Sequence, residues 1–327
     1  MRHVNAAYKR AERAERRQQR ELERQQKLYA KMQEKEQAAY EAQVFENHIG
    51  LLQSVHKECD ELCDWAKILT APLPERPKPN TEHEMVAQAE LDGFKASFKD
   101  KLLGKADSKR DALKRGVDAA KKRDELDYKK ILEDYRKECA DLNKFKEIAK
   151  GVLAGDKNSY ANAIKESQPF GDISALGSSI NFNIDRTNQI EVTLYVNGEH
   201  IVPTEAKSAT KSGKLSVKSI PKSKFYEIYQ DYVCGCVFRV ARELFALLPI
   251  EMVIVTCMGN ILNTHTGHMD EKPILSIAMP RSTVEKLNFE TLDPSDALNN
   301  FVHNMDFKKG KGFEPVEVLD ASFTQKK

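Results

Sequence analysis

INFNIDRTNQIEVTLYVNGEHIVPT, residues 180–204, is the stretch on which the fold class turns. Ile180, Phe182 and Ile184 alternate with polar residues, and Ile190, Val192, Leu194 and Val196 do so again. A period of two sets each group on one side of a pleated strand, so two half-buried strands follow, with Arg186–Asn188 as the turn between them. Asn197-Gly198 is a strong hairpin signal, because both residues accept the positive φ of a tight turn, and it predicts a third strand over His200–Thr204. Downstream, a helix runs from about Ser223 to Leu248. Tyr226, Tyr229, Val233, Val237, Val240, Ala241, Leu244 and Leu248 face inward, and Pro249 closes it. Glu251–Met258 and Pro273–Met279 read as strands; Ser282–Leu287 and Pro294–Val302 read as short helices. A short helix also fits Asn158–Glu166. Strands, a long helix, strands and helices in that order make 156–327 a mixed α+β domain.

Upstream the chain is helical. Residues 1–45 form a charged arm: from Arg10 to Gln26 there are six Arg, four Glu and four Gln, strong helix formers with one Leu among them. Such a helix has no stripe to bury, so it projects into solvent or finds a partner. Residues 46–155 read as a helical hairpin or coiled coil. Val44, Phe45, His48, Leu52, Val55, His56, Cys59, Leu62, Cys63 and Ala66 step by three and four, predicting one helix to Leu69. Pro72, Pro74, Pro77 and Pro79 make a stiff connector over 72–79. Thr81 with Glu84 fits a capping box opening a helix that Phe94, Phe98 and Leu102 carry on. Tyr128, Ile131, Tyr135, Leu142, Phe145, Ala149 and Val152, with Cys139 in the gap, form a heptad seam whose expected partner is the 40–69 helix.

Composition narrows the function classes. The 327 residues carry 52 Lys and Arg against 50 Asp and Glu, a net charge of +2 that excludes a uniformly basic nucleic-acid coat. Charge is nevertheless uneven: Arg2, Lys9, Arg10, Arg13, Arg16, Arg17 and Arg20 face only Glu12 and Glu15 in the first twenty residues. Charged residues make up 31% and the mean hydropathy is -0.59, which fits long exposed helix. No apolar run has the length of a membrane span, and the Arg-rich start has neither the apolar core of a secretory signal nor the serines of a mitochondrial presequence. A cytoplasmic setting is expected, with six cysteines read as buried thiols rather than disulfides.

One resemblance bears on the architecture. The run from Tyr229 to Pro249 (YQDYVCGCVFRVARELFALLP), Pro273-Ile-Leu-Ser276, and Asn300-Phe-Val-His-Asn-Met-Asp-Phe307 ending at Gly312-Phe313 resemble an uncharacterised bacterial protein family. The similarity covers roughly residues 40–320. It implies a helical, coiled-coil-like N-terminal half joined to a C-terminal α+β domain, and it implies no catalytic residues.

Three sets of residues are candidates for chemistry. Glu205-Ala-Lys207 has the acid and lysine of PD-(D/E)xK nucleases, two apart on a strand and so on one face. With Asp185 or Glu191 from a preceding strand, Glu205 would hold Mg²⁺ and Lys207 would activate water. The Pro-Asp dipeptide of that motif is absent. A second basic segment, Lys207 to Lys224, offers Lys211, Lys214 and Lys218 as phosphate contacts beside Arg10, Arg13, Arg16, Arg17 and Arg20 of the arm. His56-x2-Cys59-x3-Cys63 has three potential zinc ligands without a fourth, and reads as core packing. The leading expectation is a non-enzymatic interaction protein that assembles with itself or a protein partner through its helices and contacts nucleic acid through the basic segments. A Mg²⁺-dependent nuclease is the alternative; no other cofactor and no membrane partner is expected.

Overall fold

The computed structural model describes residues 2–98, 103–170, 179–186 and 188–319; the side chains of 2–23, 25, 185 and 186 lie outside that description, as do Leu102 and Thr187 of the predicted helix and turn. The fold is α+β: a long helical region and a domain with a mixed sheet. Contacts divide the chain into two compact units, one of residues 1–63 with 161–327 and the other of residues 64–160. The sequence boundaries at 45/46 and 155/156 cut the chain differently, because the N-terminal helix belongs with the C-terminal sheet.

In the first unit, α1 spans Arg2–Ser54. After 161 come β1 (Ser179–Arg186), β2 (Gln189–Tyr195), a 3-10 turn (Glu199–Ile201), β3 (Glu205–Ala209) and β4 (Leu215–Ser219). A six-stranded sheet has the order β1-β2-β5-β6-β7-β8, where β5 is Met252–Leu262, β6 Met269–Pro280, β7 Val302–Lys308 and β8 Gly312–Glu314. β1 and β2 pair antiparallel, with Phe182 opposite Val192, as the alternation predicts. β2 and β5 pair parallel, so the chain crosses from one to the other through a helix. β5 and β6 pair antiparallel over their whole length, and where they lie between β2 and β7 in the middle of the sheet Val253–Cys257 and Ile274–Met279 are buried runs.

That crossover helix spans Lys222–Leu247 and is the centre of the unit. Between Ile228 and Leu247 it is buried almost all round, since β5 packs on one side and α1 on the other. The expected inward stripe is therefore only half of its buried surface. Among the described side chains of the N-terminal segment up to His56, Ala38, Ala42, Leu52 and His56 are buried, while Ile49 and Phe45 are half-buried. The helix predicted to reach Leu69 breaks after Ser54. An extended strap over 58–64 takes its place, held by Cys63 N–H donating to Ala246 O (2.8 Å) and Asp60 N–H donating to the Glu243 carboxylate (3.2 Å). Cys59, Leu62 and Cys63 are thus on a strap, not a helix face. Arg242 closes the break by donating to the His56 and Lys57 carbonyls, and Arg281 donates to those of Phe245, Leu248 and Ile250 at the end of the central helix.

Two strand predictions differ. Asn197-Gly198 opens a 3-10 turn rather than a hairpin: Asn197 O accepts from the Tyr229 hydroxyl (2.9 Å) and its side chain donates to Tyr232, so the dipeptide is tied to the central helix. The third strand forms later, within the Lys/Ser segment, as the hairpin β3–β4 in a sheet of its own. The helix predicted at Pro294–Val302 forms as an α-helical turn at Pro294–Ala297, capped by Asp293 and continued by a 3-10 turn at Leu298–Asn300, and Val302 opens β7.

In the second unit, Trp65–Thr70 forms α2, Glu82–Gly93 α3 and Ala106–Leu153 α4; a further helix, Lys157–Ser167, contains the boundary between units. α4 packs on α3 and on α2, the latter lying at the end of the segment predicted as the 40–69 helix. The capping box does not form: Thr81 makes no side-chain cap. The buried Asp124 of α4 instead accepts from the His83 and Glu84 amides (3.3 and 2.8 Å), placing a carboxylate at the α3 N-terminus. Tyr128 of the seam donates to Pro77 O (3.3 Å), fastening the proline connector. α3 ends at Gly93, short of the predicted Leu102.

Candidate functional site

α1 has two faces in its C-terminal half. One, carrying Ala38, Ala42 and Leu52, is 0–7% exposed. The other bears Tyr40 at 66%, Val44 at 49% and Leu51 at 50% exposure, and Leu28, Tyr29 and Met32 continue it at 53–65%. At 100° per residue these six fall within half of the helix circumference, and Tyr40, Val44 and Leu51 lie nearly opposite the buried face. From Gln26 to Gln37 every residue is exposed.

The hairpin β3–β4 rests against α1 beside this outer face. Lys207 Nζ lies 3.1 Å from Glu41 Oε2. Hydrogen bonds from Gln37 and then Lys207 hold the Glu41 carboxyl below its ordinary pKa. Gly213 in the tip has φ +83°, and a Cβ there would come within 2.8 Å of Lys35 Cγ on α1, so both the turn and the close approach require glycine. Thr210 fixes the tip through its hydroxyl, which accepts from the Lys214 amide (3.0 Å). Lys211, Lys214 and Lys218 stand exposed on this supported ribbon. Arg10, Arg13, Arg16, Arg17 and Arg20 belong to the N-terminal half of α1, and their side chains lie outside the described residues.

The nuclease set is brought together only in part. Glu205 and Lys207 share one side of β3, but β3 pairs only with β4. Glu191 sits on β2 in the six-stranded sheet, 3.4 Å from the Asn183 amide. Asp185 is on β1 with its side chain undescribed. Lys207 is engaged by Glu41, a residue the motif reading did not consider.

His56 is buried, as its core reading expects, and with it are three buried charged residues of the central helix that the sequence analysis did not single out. Asp231 is 6% exposed; one oxygen accepts from Gln53 Nε2 (2.9 Å) and the other has no partner. Burial, chiefly, pushes its pKa up to about 6. His56 is 1% exposed with neither ring nitrogen bonded, and burial followed by the charges of Lys57 and Arg242 pushes its pKa down. Arg239 and Glu243 form a buried ion pair at 2.7 Å. A charged residue on a central helix was the available signal: Asp231, Arg239 and Glu243 interrupt the apolar run at steps of eight and four.

Among the described residues no group of three His, Cys, Asp or Glu could hold a metal ion. Burial raises the thiols of Cys234, Cys236 and Cys257, that of Cys236 to about 12, so they stay protonated. A groove of about 360 Å³ beside the strap contains Arg242 and Arg281, whose guanidinium groups are occupied by the carbonyls named above. Among the described residues no helix is long and apolar enough to cross a membrane. No family model, curated protein or solved structure matches the chain.

Proposed function

We propose that this protein is a non-enzymatic interaction protein that assembles with further copies of itself through the outer face of α1. The observation that carries the reading is the exposed set Tyr40, Val44 and Leu51 opposite a filled side of the helix, continued by Leu28 and Met32 where α1 is exposed all round. Isolated polar helices are marginal in water, and an apolar row on one is stabilised by a second helix that removes it from solvent. Light scattering of the full chain should give a mass above the 37.2 kDa of one copy at micromolar concentration. Tyr40→Glu with Val44→Glu should return it to one copy without changing the near-ultraviolet signal of the folded unit. A wild-type monomer at ~100 μM, where even the weaker specific associations populate complexes, would overturn the reading.

A second use has its own support in the exposed Lys211, Lys214 and Lys218 on a hairpin braced against the Arg-bearing helix. Three lysines on a rigid ribbon suit the phosphate backbone of a nucleic acid and read no sequence. Changing all three to Gln should reduce the salt slope of duplex binding by up to about three times 0.9. An unchanged slope removes the hairpin from the interface. The nuclease arrangement lacks this support, since Glu205 and Glu191 lie on strands of different sheets.

A further inference from the structure

We infer that two copies of α1 pair antiparallel, each copy's Arg-rich half lying along the apolar outer face of the other's C-terminal half. This rests on the reading of that face as the assembly surface and adds its occupant and direction.

The argument is one of charge and cover. Residues 2–27 hold nine Lys and Arg and four Glu, whereas residues 28–54 hold two Lys and four Glu. One continuous helix therefore carries a net +5 in its first half and −2 in its second. Parallel pairing stacks +5 on +5 along the whole first half. Antiparallel pairing sets +5 against −2 twice, with a two-fold axis near residue 27, and an isologous contact of this kind closes on itself. The acidic positions are available for it: Glu34, Glu36 and Glu46 are exposed, and only Glu41 is engaged, by Lys207 and Gln37.

Residue size points the same way. The exposed row on the C-terminal half is bulky, with Met32, Tyr40, Val44 and Leu51. The sequence of the first half repeats small residues at Ala7, Ala11 and Ala14, spaced by four and three. Large side chains on one helix fit beside small ones on its neighbour, and an antiparallel pair about residue 27 sets position 40 opposite position 14 and position 44 within one residue of position 11. The central helix and the hairpin β3–β4 reach α1 through Ala38, Ala42, Leu52, Glu41 and Lys35, so the outer row stays open for the second copy.

Two measurements on the full chain decide the direction. The first needs no variant. Antiparallel pairing is electrostatically attractive, so raising NaCl from about 50 mM to about 500 mM should raise the dimer dissociation constant several-fold. A parallel pair relieved of like-charge repulsion would tighten instead, and tightening overturns the inference. The second uses spin labels at Gln26→Cys or Gln37→Cys in a chain with Cys59, Cys63 and Cys139 changed to Ser. In the antiparallel pair the label distance at 26 is short and that at 37 is roughly 30 Å, from ~1.5 Å per residue over the offset between paired positions. Short distances at both positions overturn antiparallel pairing while leaving self-assembly standing. A strict monomer overturns both.

Discussion

Asp231 shows how one carboxyl sets a pH dependence. Its ordinary pKa is 3.8, and in the fold it is about 6, because burial disfavours the charge and Gln53 compensates only one oxygen. Between those values the folded chain holds a proton that the unfolded chain has released. Stability therefore falls as pH rises through that window, by on the order of 3 kcal/mol in all. His56 acts in the opposite sense. Its pKa is lowered from 6.5, so the unfolded chain takes up its proton first and stability is lost as pH falls below 6.5. Asp231→Asn isolates the first effect. We expect the variant to melt higher than the wild type at pH 7.5, with the difference shrinking to nothing near pH 3.5. An equal difference at both pH values would show that the ionised form is not what Asn relieves.

At the scale of elements, two glycines predict opposite outcomes. Gly235 lies inside the central helix, and a Cβ there would meet His56 and Val55 at 3.7 Å, ordinary contact distance. Gly235→Ala should thus gain helix propensity without a clash, raising stability by about 0.5–1 kcal/mol in urea unfolding. Gly312, at the start of β8, has φ +90°, and its Cβ would come within 2.8 Å of the Tyr226 ring. Gly312→Ala should destabilise by 1 kcal/mol or more, in order of magnitude, through strain and displacement of that ring. The sequence made such elements legible where period and burial agree, as in β1, β2 and the central helix. It misled where a tertiary partner overrode a local signal. Asn197-Gly198 has hairpin chemistry but is bonded to Tyr229 and Tyr232; Thr81-x-x-Glu84 has capping chemistry but Asp124 takes the place of Thr81. The outer row of α1 was the least legible. Its apolar residues are diluted among Gln, Glu and Lys, and only the structure distinguishes the side filled by the central helix from the side left open.

For the whole molecule, the association of α1 with the sheet unit sets what can be removed. A fragment 156–327 keeps every strand but loses the segment that covers the outer side of the central helix and donates to Glu243 and Ala246. It leaves Arg239 and Glu243 at a solvent boundary and Asp231 without Gln53. We expect this fragment to melt well below the full chain, and a peptide of residues 36–63 added in trans to restore part of the difference. A fragment as stable as the full chain, indifferent to the peptide, would show that α1 is an appendage rather than a layer of the fold.

The order in which the ribosome delivers these pieces adds a constraint. α1 is complete at Ser54, yet the helix it packs on ends only at Leu247. At about 5–20 residues per second, the earlier helix waits on the order of 10–40 seconds for its own chain to supply a covering surface. During that interval both of its sides face solvent or the neighbouring nascent chain on the same message. A chain stalled before residue 222 should leave Tyr40–Leu52 open to protease, whereas one stalled far enough past 247 to clear the exit tunnel should protect it. The long residence of an uncovered helix ties the yield of correctly built molecules to the speed of translation through the intervening 64–160 unit.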